Sequence, residues 1–183
     1  MLSFQKGLIR KMADFSALTK LAPSLEIMGS QGAFLLAGPK DDPNVMTIGW
    51  GTAGVMWSLP VFTAPVRLSR HTHGLLEVGS VFTVSFPGAG KMKKELGFCG
   101  SHSGRDCKKV QEGGLTLLPA KEIESSVVKG CALYLECRVL NCTDLSLETF
   151  SAAQKERWYS GGDEGNTHTL FCAQILACYE GEN

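Results

Sequence analysis

A chain of 183 residues with 44% hydrophobic and 20% charged side chains suits one domain with a substantial core. Eighteen basic residues balance eighteen acidic ones, so no sequence-wide field exists to displace the counterions of nucleic acid. No apolar run approaches the ~20 residues that cross a bilayer, and the N-terminus lacks the unbroken apolar core of a secretory signal. These features predict a cytoplasmic protein with neither a nucleic-acid nor a membrane partner.

Residues 1–25 read as an N-terminal arm or helix. Leu8, Ile9, Met12, Phe15 and Leu18 recur at near-helical spacing, and Pro23 is expected to end the helix. Gly32 to Gly38, G-A-F-L-L-A-G, is a glycine-bounded apolar run that predicts a buried strand. The P-K-D-D-P-N turn cluster then leads into a second strand, Val45 to Trp50, and completes a hairpin. Gly49, Gly51 and Gly54 interrupt the next stretch. Pro60 to Leu68 predicts a third strand, which Pro65 assigns to an edge or bulged position.

A short helix is predicted over Thr72 to Val78, and a strand over Val81 to Phe86, where β-branched and aromatic residues dominate. Gly88 to Phe98 reads as helical, and Asp106 to Glu112 as a short helix that Asp106 caps and Gly113-Gly114 stops. Leu115 to Leu118 is short and apolar, and a strand starts near Val127-Val128. Ala132 to Cys142 is the longest strand candidate, with Glu136 and Arg138 on one face. Residues 148–167 read as a polar loop after a short turn, and Thr169 to Tyr179 as the closing strand. Six to eight strands with few helices, not in regular alternation, point to a mainly β fold, an antiparallel barrel with helices at its ends.

Seven cysteines without a C-x-x-C pair do not make a zinc site. We read them as small buried hydrophobes of a reducing compartment. Cys131/Cys137 and Cys172/Cys178 are each six apart, an even spacing that puts both members on one strand face. Cys99 precedes a helix start, where a thiolate is favoured, but is read as structural. His71 and His73 lack a third ligand, so no metal is assigned.

Three polar clusters carry the chemistry. N-V-M-T-I-G-W (Asn44 to Trp50) ends in an indole that can cover a ring system. S-R-H-T-H (Ser69 to His73) sets two hydroxyls and a guanidinium at a predicted helix start, a combination suited to phosphate or, equally, to a solvated cap. C-G-S-H-S-G-R-D (Cys99 to Asp106) is rich in glycine and hydroxyls and also precedes a helix. P-G-A-G-K (Pro87 to Lys91) fails as a phosphate loop because no Ser or Thr follows the lysine.

Taken in order, N-V-M-T…W, S-R-H-T-H, C-G-S-H-S-G-R-D-C-K-K-V and L-E-C-R-V make the chain resemble the flavin reductase-like family, which includes the flavoredoxins. The likeness covers Ala33 to Asn141 well and the closing strand loosely. It implies one domain over residues 1–183, a split β-barrel of the FMN-binding type, noncovalent FMN and a homodimer. It further implies that Asn44 and Thr47 contact the flavin and that Trp50 lies beside the isoalloxazine. Ser69, Arg70 and Thr72 would hold the phosphate; Ser103, Arg105 and Lys109 would complete the pocket; His168 would stand at the ring edge or the reductant side. Met56 and Trp57 occupy a stretch where many members carry smaller or polar residues, on the face expected to meet a second substrate. The implied activity is an FMN-dependent oxidoreductase taking electrons from NADH, NADPH or a redox protein to a small acceptor, with no catalytic residue assigned. A flavoredoxin-like carrier without a nicotinamide site and a flavin-free ligand-binding barrel are the alternatives.

Overall fold

The structure, a computed structural model, describes residues 16–160 and 165–181. The predicted positions Leu8, Ile9, Met12 and Phe15 lie outside that range. Helix α1 (Ser16–Gln31) opens the described chain and runs through Pro23 instead of stopping there. An internal proline costs a helix about 3 kcal/mol. Burial of Ala17, Leu21 and Met28 in the main core offsets that cost.

Nine strands follow. Strands β1 (Ala33–Ala37) and β2 (Asn44–Ile48) form the predicted hairpin, paired from Ala33↔Ile48 to Ala37↔Asn44. Strand β3 (Thr52–Met56), unforeseen in the glycine-interrupted stretch, turns back through Trp57 and Ser58, both at positive φ, into β4 (Leu59–Arg67). Strand β4 is not an edge: β3 pairs with it on one side and β9 on the other. The β3 pairing ends at Thr63, however, so Pro65 sits where β4 has lost its neighbour on that side.

Strand β5 spans Val81–Phe86, as predicted. Helix α2 covers Lys93–Ser101, later than expected, and helix α3 only Lys109–Glu112. Asp106 does not cap α3; Lys108 stands at that position without a side-chain cap bond, and the Asp106 N–H closes a turn onto the Ser103 carbonyl. Strands β6 (Leu117–Pro119) and β7 (Ser126–Val128) form a separate ribbon. Strands β8 (Leu133–Asp144) and β9 (His168–Glu180) are the long pair. The predicted 148–167 loop instead holds a 3-10 turn, Leu147–Thr149, and helix α4 (Ala152–Tyr159).

The main sheet is antiparallel, in the order β2-β1-β5-β8-β9-β4-β3. No pairing joins β2 to β3 among the described residues, so the sheet ends in two edges. The larger core cluster packs α1 against one face through Leu35, Phe62, Val84, Leu135 and Phe171; a smaller one gathers Phe34, Leu36, Leu96 and Tyr134 on the other. Strand β1 is buried along its whole length because it contributes to both. A bulge in β9 skips Leu176 between Glu136↔Ala177 and Cys137↔Ile175. It breaks the even spacing from Cys172 to Cys178, so these two do not share a face. No helix among the described residues is long and apolar enough to cross a membrane.

Candidate functional site

The three polar clusters converge at one end of β2. Asn44, at its start, donates through Nδ2 to the buried Thr72 hydroxyl at 2.7 Å. Thr47 donates to the Leu96 carbonyl of α2 at 2.6 Å. A Cβ at Gly104 would stand 1.9 Å from Asn44 Oδ1. The 102–106 loop can therefore lie against Asn44 only with glycine at that position. The S-R-H-T-H segment forms a five-residue 3-10 turn, His71–Leu75, rather than a helix start.

Three cations surround this junction, each tethered to a carbonyl. Arg70 Nη1 donates to the Gly100 oxygen at 3.1 Å, Arg105 Nη1 to the Ser69 oxygen at 3.0 Å, and Lys109 Nζ to the Cys99 oxygen at 2.9 Å. Among the described residues none of the three lies in an ion pair; the pairs present are Lys20–Glu180 and Lys108–Asp42. Lys109 is only 6% exposed. Burial lowers its pKa from the ordinary lysine value, the neighbouring Cys99 opposes that shift, and the Arg70 charge adds to it. Cys99 itself lies inside α2, fully buried, and burial pushes its thiol up to about 11. That overturns any thiolate expected from a helix start.

Beyond Thr47 the site becomes aromatic. Trp50 meets Trp158 edge to face, with ring centroids 5.0 Å apart, and tilts at 42° against His168 at 5.2 Å. The two indoles are 40% and 42% exposed. His168 Nδ1 bonds the Tyr159 hydroxyl at 3.0 Å. A cleft of about 250 Å3 runs past Thr47, Trp50, Arg67, Arg70, Trp158 and His168. A second, of about 280 Å3, includes Asn44, His71, Cys107 and Lys109. Four of the predicted residues thus share one cleft, and Asn44 and Lys109 line the next. Ser69, Thr72, Ser103 and Arg105 build the loops around them. The Ser103 hydroxyl accepts from the Arg105 N–H at 3.2 Å.

Sequence reasoning missed the strap over Ser69. The Asn166 amide brackets that residue, accepting from its N–H at 3.0 Å and donating to its hydroxyl at 2.9 Å. Arg67 donates to the Trp158 and Asn166 carbonyls and lies over the Tyr159 ring at 5.2 Å. The signal for α4 was present in S-A-A-Q: Ser151 and Gln154 form a reciprocal capping box.

The antiparallel sheet thus gathers cations without ion-pair partners among the described residues beside an indole-lined cleft. Residues 28–183 match the flavin reductase like domain, and the chain belongs to that family. The crystal structure of flavoredoxin from Methanosarcina acetivorans is 27% identical, with a TM-score of 0.61 over 84% of this chain and 69% of that one. An NADH:FAD oxidoreductase of Streptomyces globisporus, 20% identical, covers 93% and 86% with a TM-score of 0.58. An FMN-binding protein of Thermus thermophilus, 23% identical, covers 81% and 69% with a TM-score of 0.60; at these two identities the likeness is one of fold. An uncharacterized protein of Pyrococcus abyssi is 26% identical over 145 residues, 78% of this chain and 69% of its own.

Proposed function

We propose that the chain binds FMN noncovalently and acts as a flavin reductase-like oxidoreductase, in a single domain of split-barrel type. The observation that carries this reading is the set Arg70, Arg105 and Lys109. Burying a lysine beside an arginine, with no carboxylate paired to either among the described residues, is unfavourable unless an anion joins them. A phosphomonoester fits that donor set, and the adjoining Trp50 cleft fits a flat ring.

In this reading Arg70, Ser69 and Thr72 serve the phosphate, with Ser103, Arg105 and Lys109 completing its surroundings. Asn44 and Thr47 offer polar groups along the ring edge, Trp50 shields one side of it, and His168 closes the far end. Bound FMN would supply hydride and electron transfer at its N5. The chain's own part is to fix the ring, exclude water from one side and leave the other open. NADH or NADPH is the proposed donor and a small molecule the acceptor. The exposed Val55 and Met56 on edge strand β3, with the exposed Trp57 in the turn after it, support a homodimer, because an uncovered apolar edge invites pairing. A cytoplasmic location accords with this chemistry.

The 27% identity to a flavoredoxin favours a second reading, an FMN-holding carrier reduced by another protein. One experiment separates the two. Visible absorption is recorded on the purified protein with FMN, then with NADH or NADPH, then with dithionite. Flavin bands bleached by the nicotinamide support the reductase. Bands that persist until dithionite support the carrier. Absence of bound flavin after reconstitution rejects both.

A further inference from the structure

The S-R-H-T-H turn carries a ring that the phosphate reading leaves without a role. His73 is half-buried and lies edge-on to Phe171, with ring centroids 5.6 Å apart. Its Nε2 stands 2.8 Å from the hydroxyl of Thr169, a residue only 3% exposed. Thr169 faces Asp144 in the β8–β9 pairing, and its hydroxyl donates to Asp144 Oδ1. One polar chain thus joins the turn to both long strands.

This chain has a fixed direction. A hydroxyl has a single proton, and a carboxylate only accepts. Thr169 therefore gives its proton to Asp144 and accepts from His73, which must carry a proton on Nε2. The tautomer of His73 is set two hydrogen bonds away, by Asp144.

The main chain of His73 is tied as well. Its N–H donates to the Arg70 carbonyl at 3.0 Å. Thr72, between the two, accepts from Asn44 of β2. The turn is pinned from β2 at Thr72 and from β9 at His73, and Arg70 stands at its head.

We infer that Asp144, Thr169 and His73 form a tautomer relay that orients the Arg70 turn, with His73 a positioning residue for the bound anion. This rests on the reading of that turn as an anion site. Without the relay the chain keeps Arg70, Arg105 and Lys109, but the turn is free to swing about its Thr72 anchor.

The test uses the full chain, labelled with 15N at histidine and held in mildly alkaline buffer, where an imidazole is neutral. With no ligand present, the His73 ring nitrogens, assigned through His73→Gln, should report the Nε2–H tautomer. Asp144→Ala removes the final acceptor from an exposed position. The Thr169 hydroxyl can then turn and donate to Nε2, so the His73 proton should move to Nδ1. FMN and inorganic phosphate are the anion probes. Thr169→Val keeps a β-branched residue in the strand and removes the hydroxyl. It should weaken both probes by about ten-fold, the scale of one hydrogen bond to a charged group. Thr169→Ser should restore the parent affinity. In an Arg70→Ala background, Thr169→Val should add little further loss, because two residues that act through one contact are not additive.

A His73 tautomer unmoved by Asp144→Ala would overturn the inference. So would full anion affinity in Thr169→Val, or an equal loss with and without Arg70. A parent chain that binds phosphate but not FMN would remove the flavin reading and leave the relay to be decided on phosphate. A parent chain that binds neither would overturn both.

Discussion

Two charged side chains, Glu136 and Lys109, are buried among the described residues, and they are treated in opposite ways. Glu136, fully buried in β8, accepts from the N–H groups of Lys121, Glu122 and Ile123 at 2.6, 2.7 and 3.0 Å and from the Tyr179 hydroxyl at 2.8 Å. Burial, then its bond to Glu136, raises the Tyr179 pKa and keeps that hydroxyl a donor. Lys109 has three N–H donors and one protein acceptor, the Cys99 carbonyl. A carboxylate with four donors closes the fold upon itself. An ammonium with one acceptor leaves room for something from outside. The first arrangement is architecture, the second a vacancy in the hydrogen-bond account that a phosphate can fill.

The contrast can be broken most forcefully at the closed end. Glu136→Leu takes the acceptor from three backbone N–H groups, that of buried Ile123 among them, and from the Tyr179 hydroxyl, and should cost about 3 kcal/mol of stability. Urea unfolding measures this, and a loss below about 1 kcal/mol would mean that the 121–123 loop is held by other contacts. FMN affinity of the folded fraction should not change.

At the open end the order reverses. Arg70→Ala should weaken FMN by about 1.5–3 kcal/mol, the range for charge-assisted hydrogen bonds, with little change in stability. Unaltered affinity in a fluorescence-quenching titration would remove Arg70 from the phosphate site.

Lys109→Met sharpens the comparison through pH. Because the folded chain holds the Lys109 proton less tightly than the ordinary lysine value of 10.5, the burial cost is in full force below the folded-state pKa. It fades as pH rises from there toward 10.5. Without FMN, the methionine variant should therefore be the more stable protein at neutral pH, and its lead should shrink in alkali. Saturating FMN should reverse the lead by giving the ammonium a partner. The buried Cys131 thiol, up to about 12 through burial alone, costs both proteins the same stability in alkali, so the difference between the two, which reports Lys109 together with its neighbour Cys99, is the quantity to follow. A constant difference across pH would show that Lys109 is not strained.

The smallest effect belongs to the strap. Ser151→Ala removes the α4 capping box and should cost about 1 kcal/mol, with a change in Trp158 fluorescence as the helix start frays. Unchanged emission and stability would mean that the Arg67 bonds alone seat the helix.

Where side chains and backbone agree, the fold was legible in the sequence. The β1–β2 hairpin is announced by glycine brackets and an Asx-Pro turn, and β5 by its β-branched run. Strand β3 was hidden because glycine and exposed residues give it no inward face, and its turn uses Trp57-Ser58 where Asn-Gly would have been the signal. Helix α1 survives Pro23 through burial that no local rule counts. The clustering of Asn44, Arg70, Arg105 and Lys109 could be anticipated only through the order of the motifs. Arg67, Trp158 and Asn166 could not, since their roles arise from a strap that folds back across more than ninety residues of chain.

The contact between Gly104 and Asn44 also constrains the protein's history. With a Cβ at 104 only 1.9 Å from the Asn44 amide oxygen, the two positions cannot drift independently. A lineage that places a side chain at 104 must first shorten residue 44 or move its loop, and each step disturbs the junction of β2 with the 102–106 loop. Positions 44 and 104 should therefore covary across related sequences, and libraries that randomise either one alone should return the parent residue.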